Sequence, residues 1–146
     1  MLKKRNITSP LRSGFDYQDL WTLKLIGEWL LNPDEYKWMQ IEANPTETQF
    51  FLDDVILSDA NDKYYLYQVK FKADEQYQWN WDDFLKNRKG KNDSNLPSLL
   101  NKWAASFTNL GNENIKEAAL VTNGWFSEEI QKYLSNQKID IKELKE

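Results

Sequence analysis

Cysteine and histidine are both absent from the sequence. Their absence removes thiol nucleophiles, Ser-His triads, imidazole bases and Cys/His zinc sites at once. A bound metal would therefore take oxygen ligands, which favours Mg²⁺ or Mn²⁺ over zinc, and acid-base work would fall to carboxylates, lysine or tyrosine. Long apolar runs are missing too. Nothing approaches the roughly 18 residues of a membrane span, and the start "MLKKRNITSP" lacks the apolar stretch of a signal peptide. The expectation is a soluble, cytoplasmic protein with no membrane partner. Basic charge is also in short supply. A net charge of −4 argues mildly against a non-specific nucleic-acid coat. Local clusters outweigh that total, and carboxylates meant for a metal contribute to it.

What is present is the material of one folded domain: 146 residues, 40% hydrophobic and 14% aromatic. "SGFDYQDLWTLKLIGEWLL" sets Phe15, Tyr17, Leu20, Leu23, Ile26 and Leu30 on a helix-like stripe with Ser13 as the cap, predicting a helix from about Gly14 to Leu31. "NPDE" breaks it, "YKWMQIEA" reads as a strand ending near Glu42, and "NPTETQ" as a turn. From Phe50 to Phe71 a strand, the polar turn "SDAND" and a second strand form a hairpin with apolar residues on both faces, implying a central sheet covered on both sides. "NWDDFLKNRKGKNDSN" mixes a short helix with a basic, mobile-looking loop. "LPSLLNKWAASFTNL" is an amphipathic helix with Pro97 in its first turn, and "EAALVTN" a buried strand. Gly124 turns the chain and Ser127 caps a last helix, with Glu128 and Glu129 in its first turn and Ile130, Tyr133 and Leu134 facing inward. The order α-β-β-β-α-β-α predicts a mixed α/β sheet. The end, "IDIKELKE", supplies no closing element, so the expectation is a single domain forming the N-terminal part of a longer protein.

The hairpin concentrates the chemistry. Counting back from a turn centred near Asn61 sets Asp54 opposite Gln68, with Lys70 two residues further on the same face. Diagonal neighbours at that offset lie roughly 7–8 Å apart, within reach of an Asp and a Lys converging on one phosphate. A slip of one residue substitutes Asp53 for Asp54, and the sequence leaves that register open. Phosphodiester hydrolysis needs a divalent cation to neutralise phosphate and lower the pKa of a water, and carboxylates supply hard ligands for it. A lysine adds charge that orients the nucleophile or stabilises the transition state. Gln68 offers a weaker neutral oxygen, and Glu42, ending the preceding strand, is the best source of a further carboxylate.

Asp54 followed by Gln68-Val69-Lys70 resembles the D…(D/E/Q)xK signature of the PD-(D/E)xK nucleases. More closely, "GFDYQDL", "IE", "LDDVIL", "YQVK" and "LVTNGWFSEEI" together resemble the Mrr-like restriction endonucleases over roughly Ser13 to Ile130. They are especially similar to the double-stranded-DNA endonuclease domains at the N-termini of bacterial antiphage effectors: CD-NTase-associated nucleases, STAND-type NTPases and Lamassu-type proteins. The resemblance implies a restriction-endonuclease-like mixed central sheet flanked by helices, and Mg²⁺- or Mn²⁺-dependent cleavage of double-stranded DNA. It implies metal binding by Asp54 and the Gln68 position, with Lys70 as the catalytic lysine. Gln18 falls where many Mrr-like members carry a metal-assisting Glu. With Gln68 in place of an acid as well, the shell is short of charge unless Glu42 contributes. Thr122-Asn123-Gly124 resembles the family's turn after the fourth strand, beside the site.

Each residue also has an ordinary structural role to weigh. Asp53 and Asp54 can be solvated strand-start acids, Lys70 an edge gatekeeper and Gln68 a satisfied polar residue; their coincidence across one apolar hairpin favours the site. Lys86, Arg88, Lys89 and Lys91, with Lys72 nearby, form a basic run suited to a phosphate backbone or to a solvated loop. Tyr77, Trp79 and Trp81 recur at period two, as in a base-stacking platform or, more commonly, a core. No element reads as a base-reading helix, so low sequence preference is expected. No 2′-OH reader is evident, so the residues alone leave DNA and RNA open. Cutting both strands calls for two sites, hence a homo-oligomer assembled through regions outside this chain. The competing readings are a catalytically silent nuclease-fold module binding nucleic acid or protein, and an aromatic-rich carbohydrate-binding or interaction domain.

Overall fold

The computed structural model describes residues 10–42, 54–74, 76–89, 95–135 and 138–139. Asp59 organises its centre. The Asp59 Oδ1 accepts from the N–H groups of Asn61 at 2.8 Å and Lys63 at 2.9 Å, and Asp62 takes the left-handed φ of 56°. An aspartate closing its own turn is the ordinary chemistry of a tight reversal. Strands β2 (Val55–Ser58) and β3 (Tyr64–Lys70) leave it antiparallel, with Val55 opposite Tyr67 and Ile56 opposite Leu66. Continued by one residue, this register brings Asp54 level with Gln68, as the count from Asn61 predicts.

Two strands extend the hairpin. β1 (Trp38–Ile41) pairs antiparallel with β2, and β7 (Ile115–Thr122) pairs parallel with β3, giving the order β1-β2-β3-β7. Between β3 and β7 the chain forms β4 (Gln78–Trp79), α2 (Trp81–Leu85), the two-residue ladder strands β5 (Arg88–Lys89) and β6 (Asn95–Leu96), and α3 (Leu99–Leu110). After β7 come β8 (Trp125–Phe126), parallel to β4, α4 (Glu128–Gln131), and the pair β9 (Leu134–Ser135) and β10 (Lys138–Ile139). The sheet is covered on both faces. α1 (Pro10–Leu31) brings Tyr17, Trp21, Leu25 and Trp29 onto Val55, Leu57, Tyr67 and Val69. On the opposite face Trp103 and Leu110 of α3 meet Ile56 and Leu66. A third cluster joins Trp79, Phe84, Leu99 and Ile130. This mixed sheet between helices is a restriction-endonuclease-like α/β fold. Among the described residues no helix is long and apolar enough to cross a membrane.

Several local expectations need correction. α1 starts at Pro10, a turn before the expected Gly14, so Ser13 lies inside the helix rather than capping it; proline suits a first turn because its missing N–H has no helical partner there. Pro97 stands before α3, whose N-cap is Ser98 accepting from the Asn101 N–H. β7 is partly rather than fully buried because it ends the sheet. Within the basic segment a short antiparallel ladder sets Arg88 opposite Leu96 and Lys89 opposite Asn95. Trp79 is 0% exposed, so Tyr77, Trp79 and Trp81 build core rather than an open platform. The inward face of α1 also differs: Phe15, Leu20, Leu23 and Leu30 point to solvent, while the larger rings of Trp21 and Trp29 take the sheet. The predicted turn "NPTETQ" lies outside the described residues.

Candidate active site at the end of the central hairpin

Asp54 sits where the hairpin's second strand ends, and three groups of that strand converge on one of its oxygens. The Asp54 Oδ2 accepts from the Gln68 amide Nε2 at 2.5 Å and the Val69 backbone N–H at 2.7 Å, and the Lys70 ammonium lies 3.3 Å away. The β3 backbone thus aims the carboxylate and sets Lys70 beside it. Both ionic groups keep some solvent access, with side-chain exposures of 32% for Lys70 and 17% for Asp54.

Gln68 is 2% exposed, and among the described residues its buried Oε1 has no hydrogen-bond partner. A buried amide oxygen left unmatched costs on the order of 1–3 kcal/mol. The same amide touches the Asp54 carboxylate through its Nε2, and an amide oxygen and a carboxylate are both hard oxygen donors of the kind that suits Mg²⁺ or Mn²⁺. The residues therefore fit such a cation, sparsely. Among the described residues no group of three or more acidic, His or Cys side chains is placed to hold a metal. Water and substrate oxygens would have to complete the shell, as is usual for Mg²⁺.

The two residues expected to assist reach the same spot through the backbone. Gln18 of α1 donates its Nε2 to the Asp54 carbonyl oxygen at 3.4 Å, and the Glu42 N–H donates to that same oxygen at 3.0 Å. Glu42 has the left-handed φ of 50° just beyond β1, a conformation that L-residues adopt sparingly. Asp53 lies outside the described residues. Gly14, Phe15, Gln18, Val69, Lys70 and Phe71 line an open hollow of about 200 Å³ beside this cluster. A larger hollow, about 550 Å³, is lined among the described residues by Leu120, Thr122, Gly124, Trp125, Phe126, Gln131 and Leu134, none of them charged.

Positive charge gathers around the strand end. Lys72 packs its ammonium 3.7 Å from the Tyr77 ring centroid and 4.2 Å from that of Trp79. Burial first, and then the nearby charges of Arg88 and Lys70, push its pKa down against the opposing pull of Asp83. Lys70, Lys72 and Arg88 therefore share one electrostatic neighbourhood. Exposed Lys86 pairs with Asp82 one turn back in α2, Lys89 is exposed, and Lys91 lies outside the described residues.

Asn123 is the positioning residue that sequence reasoning left without a role. Its Oδ1 accepts from the Lys72 N–H at 2.7 Å and its Nδ2 donates to the Lys72 carbonyl at 2.8 Å, pinning the chain just past Lys70 to the turn after β7. The Thr122 hydroxyl oxygen accepts from the Trp79 Nε1 and from the Gly124 N–H, both at 3.1 Å. A Cβ on Gly124 would lie 2.8 Å from that indole nitrogen, so only glycine fits. The Asn-Gly pair marks a turn in sequence, but nothing in it shows which strand the asparagine grips.

Comparison with known proteins adds one finding. A family model described as "Cap4, dsDNA endonuclease domain" matches residues 11–146. No curated protein and no solved structure matches the chain.

Proposed function

The chain belongs to the Cap4 dsDNA endonuclease domain family, and from that membership we propose that it cleaves DNA phosphodiesters with the aid of Mg²⁺ or Mn²⁺, as the effector domain of a bacterial antiphage protein. The observation that supports the site is the convergence of Gln68, Val69 and Lys70 on one Asp54 oxygen, with the buried Gln68 amide oxygen unpartnered among the described residues. Asp54 and Gln68 Oε1 would hold the cation, with Glu42 as a further source of carboxylate.

When bound, the cation supplies charge neutralisation at the scissile phosphate and a lowered pKa for a water. The Val69 N–H and Gln68 Nε2 hold the Asp54 carboxylate in one orientation, so no rearrangement of the strand is needed when substrate arrives. Lys70 donates to the attacking water or to a non-bridging phosphate oxygen and offsets the negative charge that builds as the new P–O bond forms. Lys72 and Arg88, in the same electrostatic neighbourhood, favour the approach of a polyanionic backbone, and Lys86 and Lys89 of the same basic run are exposed. Gln18 steadies the Asp54 backbone from α1.

No described element presents a row of side chains suited to reading base edges in a groove, which supports low sequence preference. Digestion of several unrelated linear duplexes tests this. The expected result is cation-dependent breakdown to a broad size distribution on every substrate, whereas a fixed set of fragments from each would contradict it.

A further inference from the structure

α1 is apolar on two faces, and the fold uses only one. Tyr17, Trp21, Leu25 and Trp29 pack on the sheet, while Leu20, Leu23, Leu30 and Leu31 are 65, 62, 77 and 81% exposed. At about 100° per residue these four leucines and Gly27 fall on one stripe, turned away from the sheet. A continuous leucine stripe in water marks an interaction surface more often than single exposed leucines do.

The stripe also indicates what covers it. Leu20, Leu23, Gly27 and Leu30 are separated by three, four and three residues, so the pattern reads the same in both directions. A second α1 running antiparallel therefore sets Leu20 against Leu30 of the other copy and Leu23 against its Gly27, and the reverse pairs follow by symmetry. Such self-complementarity is the signature of a two-fold contact. Gly27 supports the same arrangement. A mid-helix glycine costs about 1 kcal/mol relative to alanine, yet a Cβ built there meets nothing within 4 Å, so nothing among the described residues requires it. Opposite a leucine knob, the missing side chain provides the hole. Lys24 and Glu28, paired at 2.5 Å, border the stripe and present both signs of charge to a copy running the other way.

We propose that α1 is a homotypic docking surface, forming an antiparallel helix pair between two copies of this chain. One helix pair buries less than the roughly 800 Å² per partner of a standard interface, so the dimer is weak alone and is strengthened wherever copies are tethered. Self-association does not depend on the nuclease reading. Under that reading it holds two hollows in one particle, because Gly14, Phe15 and Gln18 of the same helix line each of them.

Sedimentation velocity of the chain from about 1 μM to about 500 μM, a range suited to so small an interface, is the test. The expected result is a concentration-dependent dimer that the Leu23→Glu, Leu30→Glu double variant weakens at least tenfold, with an unchanged circular dichroism spectrum. The cysteine-free background allows a second measurement that does not rely on the charged variant folding. Leu23→Cys chains mixed with Gly27→Cys chains should form more disulfide-linked dimer on mild oxidation than either variant alone, since a bridge needs Cα atoms within about 7 Å. A monomer throughout, a dimer indifferent to the charged pair, or cross-linking that favours identical positions would overturn the proposal.

Discussion

Gln68 is the residue on which the site turns. Its Nε2 occupies an Asp54 oxygen at 2.5 Å while its own oxygen lies buried, with no partner among the described residues. Gln68→Glu replaces this hydrogen bond with two carboxylates in contact, and like charges so close cannot both remain ionised without an intervening cation. Without divalent ions the variant should lose about 2 kcal/mol, or about 6 °C in Tm. Millimolar Mn²⁺ should raise its Tm more than that of the parent chain, because a ligand that binds only the folded state stabilises it. Differential scanning fluorimetry with and without Mn²⁺ decides; a variant as stable as its parent and indifferent to Mn²⁺ would remove the cation from this position. The count from a turn centred near Asn61 anticipated Asp54 level with Gln68 but left a slip to Asp53 open, because the hydrogen bonds by which Asp59 closes that turn and sets the register show only in the structure. The contribution of Val69 was not legible in the sequence, since a backbone N–H leaves no mark in side-chain chemistry.

At the scale of elements, the turn after β7 holds the site's surroundings in place. Asn123 grips both backbone groups of Lys72, and Gly124 lies against a fully buried Trp79. Gly124→Ala forces a methyl group against the indole, which should cost about 1–3 kcal/mol of overpacking. Urea denaturation checks this: the midpoint should fall with an unchanged m-value, and a neutral effect would mean that the turn moves freely. The order of the main strands and helices along the chain could be read from hydrophobic pattern and turn residues, whereas the short two-residue ladders and the order of strands across the sheet could not. The orientation of α1 could not. It carries two apolar stripes, one of leucines and one mainly of aromatic rings, and hydrophobic pattern alone pointed to the leucines. The choice rests on Trp21 and Trp29, whose rings meet Tyr67 and Tyr36 across the packed face. The same ambiguity leaves the leucine stripe exposed.

For the molecule as a whole, partly and fully buried phenols should set the alkaline limit of stability. Burial, with lesser contributions from Glu35 and neighbouring charges, pushes the Tyr36 pKa up to about 12. Tyr77 is likewise pushed to about 12 by burial and by its hydrogen bond to Asp83, and burial raises Tyr17, Tyr65 and, most strongly, Tyr67. In the unfolded chain these groups ionise near the ordinary value of 10.0. Below that pH both states keep the protons and stability is unaffected by them. Above it the unfolded state loses protons first, so stability falls as pH rises toward about 12. Denaturant midpoints measured by circular dichroism should therefore be level from pH 8 to 9.5 and then decline steeply, by about 1 kcal/mol or more per pH unit; a level profile to pH 11 would show these phenols to be hydrated. The central claim, that the hairpin end is a cation-dependent nuclease site, is tested most directly by plasmid cleavage. The chain, held as a dimer by a fused coiled coil, is incubated with Mg²⁺, Mn²⁺ or EDTA beside its Asp54→Ala and Lys70→Ala variants. The account predicts nicking and linearisation with either ion, none with EDTA, and a loss of about 100-fold or more in both variants. Cleavage that survives either substitution, or DNA binding without cutting under any ion, would contradict it and leave a nuclease fold that only binds.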